Sequence, residues 1–202
     1  MGKKIGSFIL IIFLVGIIGG ASVLYNYLSK NAETDQLSVK EDTNKTDDSS
    51  EEDSKKEEQY SKAPDFTVYD NDGNAYKLSE FEGKPVILNF WASWCGPCKS
   101  EMPDFEEAYK EYGEKIHFLM VNLTDGYQET VNGAQKFIED TGYTFPIYFD
   151  TKQDAARTYG VYSIPMTFFI DESGNIIAHG TGALDAKTLQ TGIDYIYDAG
   201  SQ

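Results

Sequence analysis

Cysteine, histidine and positive charge are scarce in this chain, and each scarcity removes a class of function. Its 202 residues hold two cysteines, Cys95 and Cys98, with two residues between them. A pair so close shuts too small a loop to staple a secreted mini-protein. Neither lies near the amino end, which excludes a lipoprotein-type anchor there. A metal site would need ligands beyond these two thiols, so no metal is expected. The two histidines, His117 and His179, fall in strand-like stretches and read as structural. Lys99, not histidine, follows Cys98, which excludes covalent haem attachment. Lys and Arg number 17 against 33 Asp and Glu, a formal net charge of -16. No basic patch exists to displace phosphate counterions, so nucleic acid is excluded as a partner. No internal repeat occurs.

Charge is also missing from one long stretch. Lys3 and Lys4 precede a run from Ile5 to Ser29 without a charged residue, and Lys30 follows it. That run exceeds the roughly 20 apolar residues needed to cross a bilayer. Gly19-Gly20-Ala21-Ser22 offers small residues for a signal-peptide cleavage, which is the competing reading. Val23-Leu24-Tyr25 continues the apolar run, and Tyr25 and Tyr27 suit the membrane interface, so an uncleaved anchor is preferred. Lysines in the short amino tail favour keeping it in the cytoplasm, with the body outside, where disulfides persist. Residues 1–29 are thus expected to be a cytoplasmic tail and transmembrane helix. Residues 30–61 are charged and poor in apolar side chains, and are expected to be an acidic disordered linker. Residues 62–202 are expected to be the globular domain.

What the domain does have is a pointed motif. Phe90-Trp91-Ala92-Ser93-Trp94-Cys95-Gly96-Pro97-Cys98-Lys99 sits between the apolar run Val86–Phe90 and a helix-like segment, Pro97 to Tyr112. A thiol at the turn between strand and helix meets unpaired backbone N–H groups and the positive end of the helix dipole. Both favour a thiolate, and cysteines so placed fall from about 8.5 to roughly 3.5–7.5 in pKa. Dithiol–disulfide exchange is the chemistry this arrangement serves.

The remaining elements follow from pattern. Ala63 to Tyr69 and Ala75 to Leu78 read as a hairpin around Asp72-Gly73. Val86–Phe90 and Ile116–Asn122 read as strands buried on both faces. A helix is expected from about Gln128 to Thr141, closed by Gly142. A short strand, Phe145 to Phe149, and a short helix, Gln153 to Tyr159, come next. A strand through Met166 to Ile170, a strand Ile176 to Gly180 and a helix from Asp185 to about Tyr197 close the chain. The alternation gives an α/β fold around a mixed sheet.

From Ala63 to the carboxyl end the sequence resembles the membrane-anchored, thioredoxin-like thiol–disulfide oxidoreductases of the TlpA/ResA type. The likeness is carried by Ala63-Pro64-Asp65-Phe66, Leu78-Ser79 with Gly83-Lys84, the run Asn89 to Lys99, Glu101 with Pro103, and Gly160-Val161 through Pro165 to Asp171. It implies a thioredoxin-like fold: a central mixed sheet flanked by helices, an amino-terminal β-hairpin, and a strand–helix insertion from about Leu123 to Asp150. It implies that Cys95 is the nucleophile and Cys98 the resolving thiol, the two cycling through a disulfide. Gly96-Pro97 would set the loop geometry. Ile164-Pro165 would form the family's cis-proline loop, which faces the disulfide and pairs with bound substrate, and Trp91 and Trp94 would shield the site and offer apolar contact. Glu101, three residues after Cys98, would tune the cysteine pKa values and aid proton transfer; the alternative is a first-turn glutamate pairing with the helix dipole.

The likeness also implies partners: disulfide-bearing exported proteins, such as apocytochrome c or oxidised methionine sulfoxide reductase, and an integral membrane dithiol donor of the CcdA type. No cofactor is expected. Two features depart from the pattern. Thioredoxin has a buried aspartate where Asn89 stands, which leaves Glu101 as the candidate proton acceptor. Met166 replaces a threonine common after the cis-proline. Metal delivery through the CxxC pair, and net disulfide oxidation, stay as alternatives.

Overall fold

In the computed structural model, which describes residues 37–39 and 60–197, the centre of the molecule is strand β5, Val86–Trp91, buried at every position. Alternate side chains of this strand enter two separate cores. Ile87 and Trp91 point to one face, Leu88 and Phe90 to the other. A strand covered on both sides must be apolar throughout, as this one is except at Asn89.

Nine described strands form one sheet. Besides β5 they are β1 (Leu37–Val39), β2 (Ser61–Lys62), β3 (Thr67–Tyr69), β4 (Ala75–Lys77), β6 (His117–Asn122), β7 (Ile147–Phe149), β8 (Met166–Ile170) and β9 (Asn175–Thr181). Their order is β1-β9-β8-β5-β6-β7-β3-β4, with β2 also paired to β9. Strands β5, β6 and β7 run parallel. β8 is antiparallel to β5 and β9 to β8, and β3 is antiparallel to β7 and β4. Among the described residues four α-helices accompany them: α1 (Gly96–Tyr112), α2 (Val131–Thr141), α3 (Asp154–Thr158) and α4 (Ala186–Ile196). Met102 and Phe105 of α1, Ala134 and Ile138 of α2, and Leu189 and Ile193 of α4 pack with Ile87, Phe118 and Phe169. Ala155 of α3 packs with Leu88, Phe90 and Phe168 on the opposite face. The architecture is a thioredoxin-like α/β fold with a mixed sheet; β3–β4 is the expected hairpin, and in the stretch expected as a strand–helix insertion the order is the reverse, helix α2 and then strand β7.

The boundaries correct several expectations. The hairpin strands are shorter than the sequence suggested: the first begins at Thr67 rather than Ala63, and the second begins at Ala75 as expected but ends at Lys77. Helix α2 begins at Val131, not near Gln128. Asp125 Oδ1 accepts the amides of Tyr127, Gln128 and Glu129 and holds them in a turn. Thr130 then caps the helix by accepting the Gly133 N–H. Gly142 closes it at a φ of 73°, a left-handed conformation suited to glycine.

The expected disordered linker, 30–61, contains strand. Leu37–Val39 pairs with β9 through Leu37↔Gly180, Ser38↔His179 and Val39↔Ala178, and Ser61–Lys62 pairs further along the same edge. Leu37 is buried in the core that holds Ile177 and Leu184, while Ser38 is exposed. Three residues of alternation inside a charged stretch are too few to register as a pattern; the open edge of β9 decides it. Among the described residues no helix is long and apolar enough to cross a membrane. The span expected over 5–29 lies outside those residues, as do 40–59.

Candidate active site

The parallel strands β5 and β6 end side by side at Trp91 and Asn122, and β8 begins opposite Phe90. The loops that leave or enter these ends, 92–95, 123–130 and 161–165, therefore gather at one edge of the sheet. Ends of parallel strands are where α/β folds place their sites.

Cys95 caps helix α1, and its Sγ accepts the Cys98 backbone N–H at 3.1 Å. Its own N–H donates to the Ala92 carbonyl at 3.1 Å, which closes the turn ahead of the helix. Pro97 lies in the first turn, where a missing N–H costs no helical bond. The two cysteines form a disulfide, with Cα atoms 5.3 Å apart. Cys95 is 4% exposed and Cys98 fully buried. Only one sulfur of the pair is thus within reach of another molecule.

Cys95 Sγ lies 3.8 Å from the Ile164 carbonyl oxygen. The Ile164–Pro165 peptide is cis. Pro165 itself is buried, and its carbonyl accepts the Gly182 N–H at 2.9 Å. An open groove of roughly 440 Å³ runs past the disulfide, lined by Trp94, Cys95, Gly96, Pro97, Leu123 and Ile164, with Val161, Tyr162 and Ser163 completing one wall. Trp94 is half exposed and Tyr162 82% exposed. Exposed aromatics beside a narrow reactive atom provide apolar contact area for a chain laid across it.

Of the residues expected from sequence, Trp94, Cys95, Gly96, Pro97 and Ile164 meet in this groove, while Cys98, Glu101 and Pro165 stand behind it. Two other residues noted in the sequence are packing residues. Trp91 is fully buried against Phe137, with ring centroids 5.9 Å apart, and takes no part in the groove. Met166 is core. His117 packs edge-on to Phe81, and burial, then nearby Lys84, pushes its pKa down; His179 stacks on Phe168. Among the described residues no three His, Cys, Asp or Glu side chains converge as a metal site.

Behind the disulfide lies a polar line inside the core. Glu101, one turn after Cys98, is 1% exposed. Its Oε1 accepts from Asn89 Nδ2 at 2.8 Å and its Oε2 from the Leu184 N–H at 2.9 Å. Asn89 Nδ2 also donates to Thr167 Oγ1 at 3.0 Å. Loss of hydration pushes the Glu101 pKa up to about 7, against the two donors that favour its charged form; Asp104 adds a smaller upward push.

Glu129 was not singled out from sequence. It is 2% exposed, and its Oε2 accepts both the Ser93 N–H and the Ser93 hydroxyl at 2.9 Å. In sequence it is one acid in a polar loop, and no spacing ties it to a serine 36 positions earlier. Leu123, Val161 and Tyr162 also line the groove without having been singled out: the loop of Leu123 carries no motif, and the stretch from Gly160 to Pro165 was read for its cis-proline rather than for the side chains ahead of it.

Comparisons with known proteins agree with this geometry. The AhpC/TSA family profile matches residues 60–179. The chain is 36% identical over 137 residues to the thiol–disulfide oxidoreductase ResA of Geobacillus thermodenitrificans, covering 67% of this chain and 76% of that one. It is 37% identical over 133 residues to the thioredoxin-like protein YneN of Bacillus subtilis, covering 66% and 77%. Among solved structures, StoA of Bacillus subtilis superposes with a TM-score of 0.56 at 30% identity, over 64% of this chain and 96% of that one. The exposed lipoprotein thioredoxin Etrx1 of Streptococcus pneumoniae does so with 0.54 at 34%, over 65% and 99%.

Proposed function

The chain belongs to the AhpC/TSA family and is a thiol–disulfide oxidoreductase of the ResA type, and we propose that it reduces disulfides in exported proteins from the outer face of a membrane. The carrying observation is the asymmetry of the dithiol. Cys95 stands at a helix N-terminus at the groove, 3.8 Å from the Ile164 carbonyl, while Cys98 is sealed behind it.

The chemistry follows from that asymmetry. In the reduced protein the Cys95 thiolate attacks one sulfur of a substrate disulfide. A Cys95–substrate bond forms, the substrate S–S bond breaks, and the leaving thiolate takes a proton from solvent. Cys98 then loses its proton, for which Glu101 is the nearest acceptor along α1, and attacks Cys95 Sγ. The internal disulfide forms, the Cys95–substrate bond breaks, and the departing substrate thiolate takes a proton, so the substrate leaves as a dithiol. Two electrons have moved from protein to substrate, and a membrane dithiol donor of the CcdA type restores the reduced pair. The Ile164 backbone and the Trp94–Tyr162 rim hold the substrate chain extended past Cys95. Apocytochrome c and oxidised methionine sulfoxide reductase are the substrates proposed from the resemblance. The anchor is proposed from the uncharged run Ile5–Ser29 and the lysines before it.

The test combines insulin reduction, with Cys95→Ala as control, and trapping in intact cells with Cys98→Ala. Turnover lost in Cys95→Ala, with Cys95-linked adducts of exported proteins, is the expected result. A reduction potential near −120 mV, that of a strong oxidant, would reverse the direction of electron flow.

A further inference from the structure

The loop that carries Cys95 is held from outside its own strand and helix. Between β5 and α1 the chain makes the tight turn Ala92–Cys95, whose only internal tie is the Cys95 N–H to the Ala92 carbonyl. Its remaining polar groups at Ser93, the amide and the hydroxyl, both donate to Oε2 of Glu129. Glu129 is fixed in turn by the insertion. Its amide donates to Asp125 Oδ1 at 2.9 Å and its carbonyl accepts the Gly126 N–H at 2.9 Å. The next residue, Thr130, caps α2. That helix packs its Phe137 on the Trp91 ring, at the end of β5. The insertion thus grips the redox loop twice, by a ring contact below it and a carboxyl beside it.

A glutamate 2% exposed is costly to bury, and Glu129 recovers only part of that cost: Oε1 has no hydrogen-bond partner among the described residues. A purely structural side chain at this place would be better apolar. What the carboxyl supplies, and an apolar group does not, is a double acceptor for Ser93. We propose that Glu129 is a positioning residue for disulfide exchange, holding Ser93 so that Trp94 and Cys95 keep their places beside Ile164. The inference rests on the exchange chemistry above. It makes the insertion part of the site's machinery, through a residue that never touches substrate.

The length of the side chain gives the test. Glu129→Met keeps the bulk and removes the acceptor; Glu129→Gln keeps an oxygen that can take both Ser93 donors. The measurement is the rate at which the full-length reduced protein forms its first mixed disulfide with insulin, with thermal unfolding followed in parallel. Displacement of a reacting atom by a fraction of an ångström is enough to slow a step, so Glu129→Met should be about tenfold slower and Glu129→Gln within about threefold of wild type. A folded Glu129→Met protein with wild-type rate overturns the inference, and so does a Glu129→Gln protein as slow as the Met variant. Should Glu129→Met not fold, Ser93→Ala removes the hydroxyl bond alone and should slow the step by about threefold; an unchanged rate again overturns it. A wild-type protein that forms no adduct defeats the exchange reading itself, whereas a reactive wild type with an unaffected variant defeats only this inference.

Discussion

Two buried glutamates flank the redox loop, and they are built differently. Glu101 spreads its two oxygens over two elements, Asn89 on β5 and the Leu184 amide ahead of α4. Glu129 turns one oxygen to a single residue, Ser93, and its other oxygen has no partner among the described residues. Burial lifts Glu101 to about 7, so it changes protonation near neutrality while a thiol one turn away must lose its proton. Glu129 ties two loops together. In the mechanism proposed above one carboxyl exchanges a proton and the other holds a position, and the difference lies in where their donors come from.

The largest expected effect separates them by pH. In the folded protein Glu101 titrates at about 7, above the 4.5 of an unburied glutamate, so the folded state keeps a proton that the unfolded chain gives up in between. The stability from this group is fully present below the lower value and is lost as pH rises through the higher one. At 1.36 kcal/mol per unit this is a fall of about 3 kcal/mol. The unfolding free energy of oxidised wild type, minus that of Glu101→Gln, should drop by about that amount between pH ~5 and pH ~8 in denaturant titrations. A difference that stays flat across this window would remove Glu101 from proton exchange.

Asn89→Ala sharpens the same side of the comparison. It withdraws a donor from the charged carboxyl and should destabilise by about 1–3 kcal/mol, more above pH ~7 than below, with the titration step displaced upward. A step left in place would show that Asn89 fills space without supporting the charge. Smaller again is Tyr162→Ala, which touches neither glutamate. Removing an 82% exposed groove residue should raise the KM for insulin by about threefold to fivefold, with unfolding unchanged. The smallest effect is a coupling. Glu101 and Glu129 share no partner, so the stability changes of Glu101→Gln and Glu129→Gln should add to within about 0.5 kcal/mol in a double-variant cycle. A larger residual would merge the two into one network.

Much of this site was legible before any fold was built. Strand, CxxC and helix are contiguous, so Cys95 at a helix N-terminus follows from local sequence alone, and the resemblance added Glu101 and the Ile164–Pro165 loop. Leu37 and Glu129 were not legible. Leu37–Val39 is strand because β9 has an unpaired edge and an apolar slot for one leucine, conditions set more than 130 residues away. Glu129 is functional because a loop 36 residues distant needs an acceptor.

The sequence by itself determined the cysteine pair, its place at a strand-to-helix turn, the acidic character of the chain, and the alternation that builds a mixed sheet. These depend on neighbours in the chain, where a spacing of two or of three to four residues carries the information. Only the tertiary structure decided which tryptophan faces the groove and which of many acidic side chains lose their water. Burial, and with it the cost of a charge, is a property of what the rest of the chain packs against a residue, and no local pattern records it.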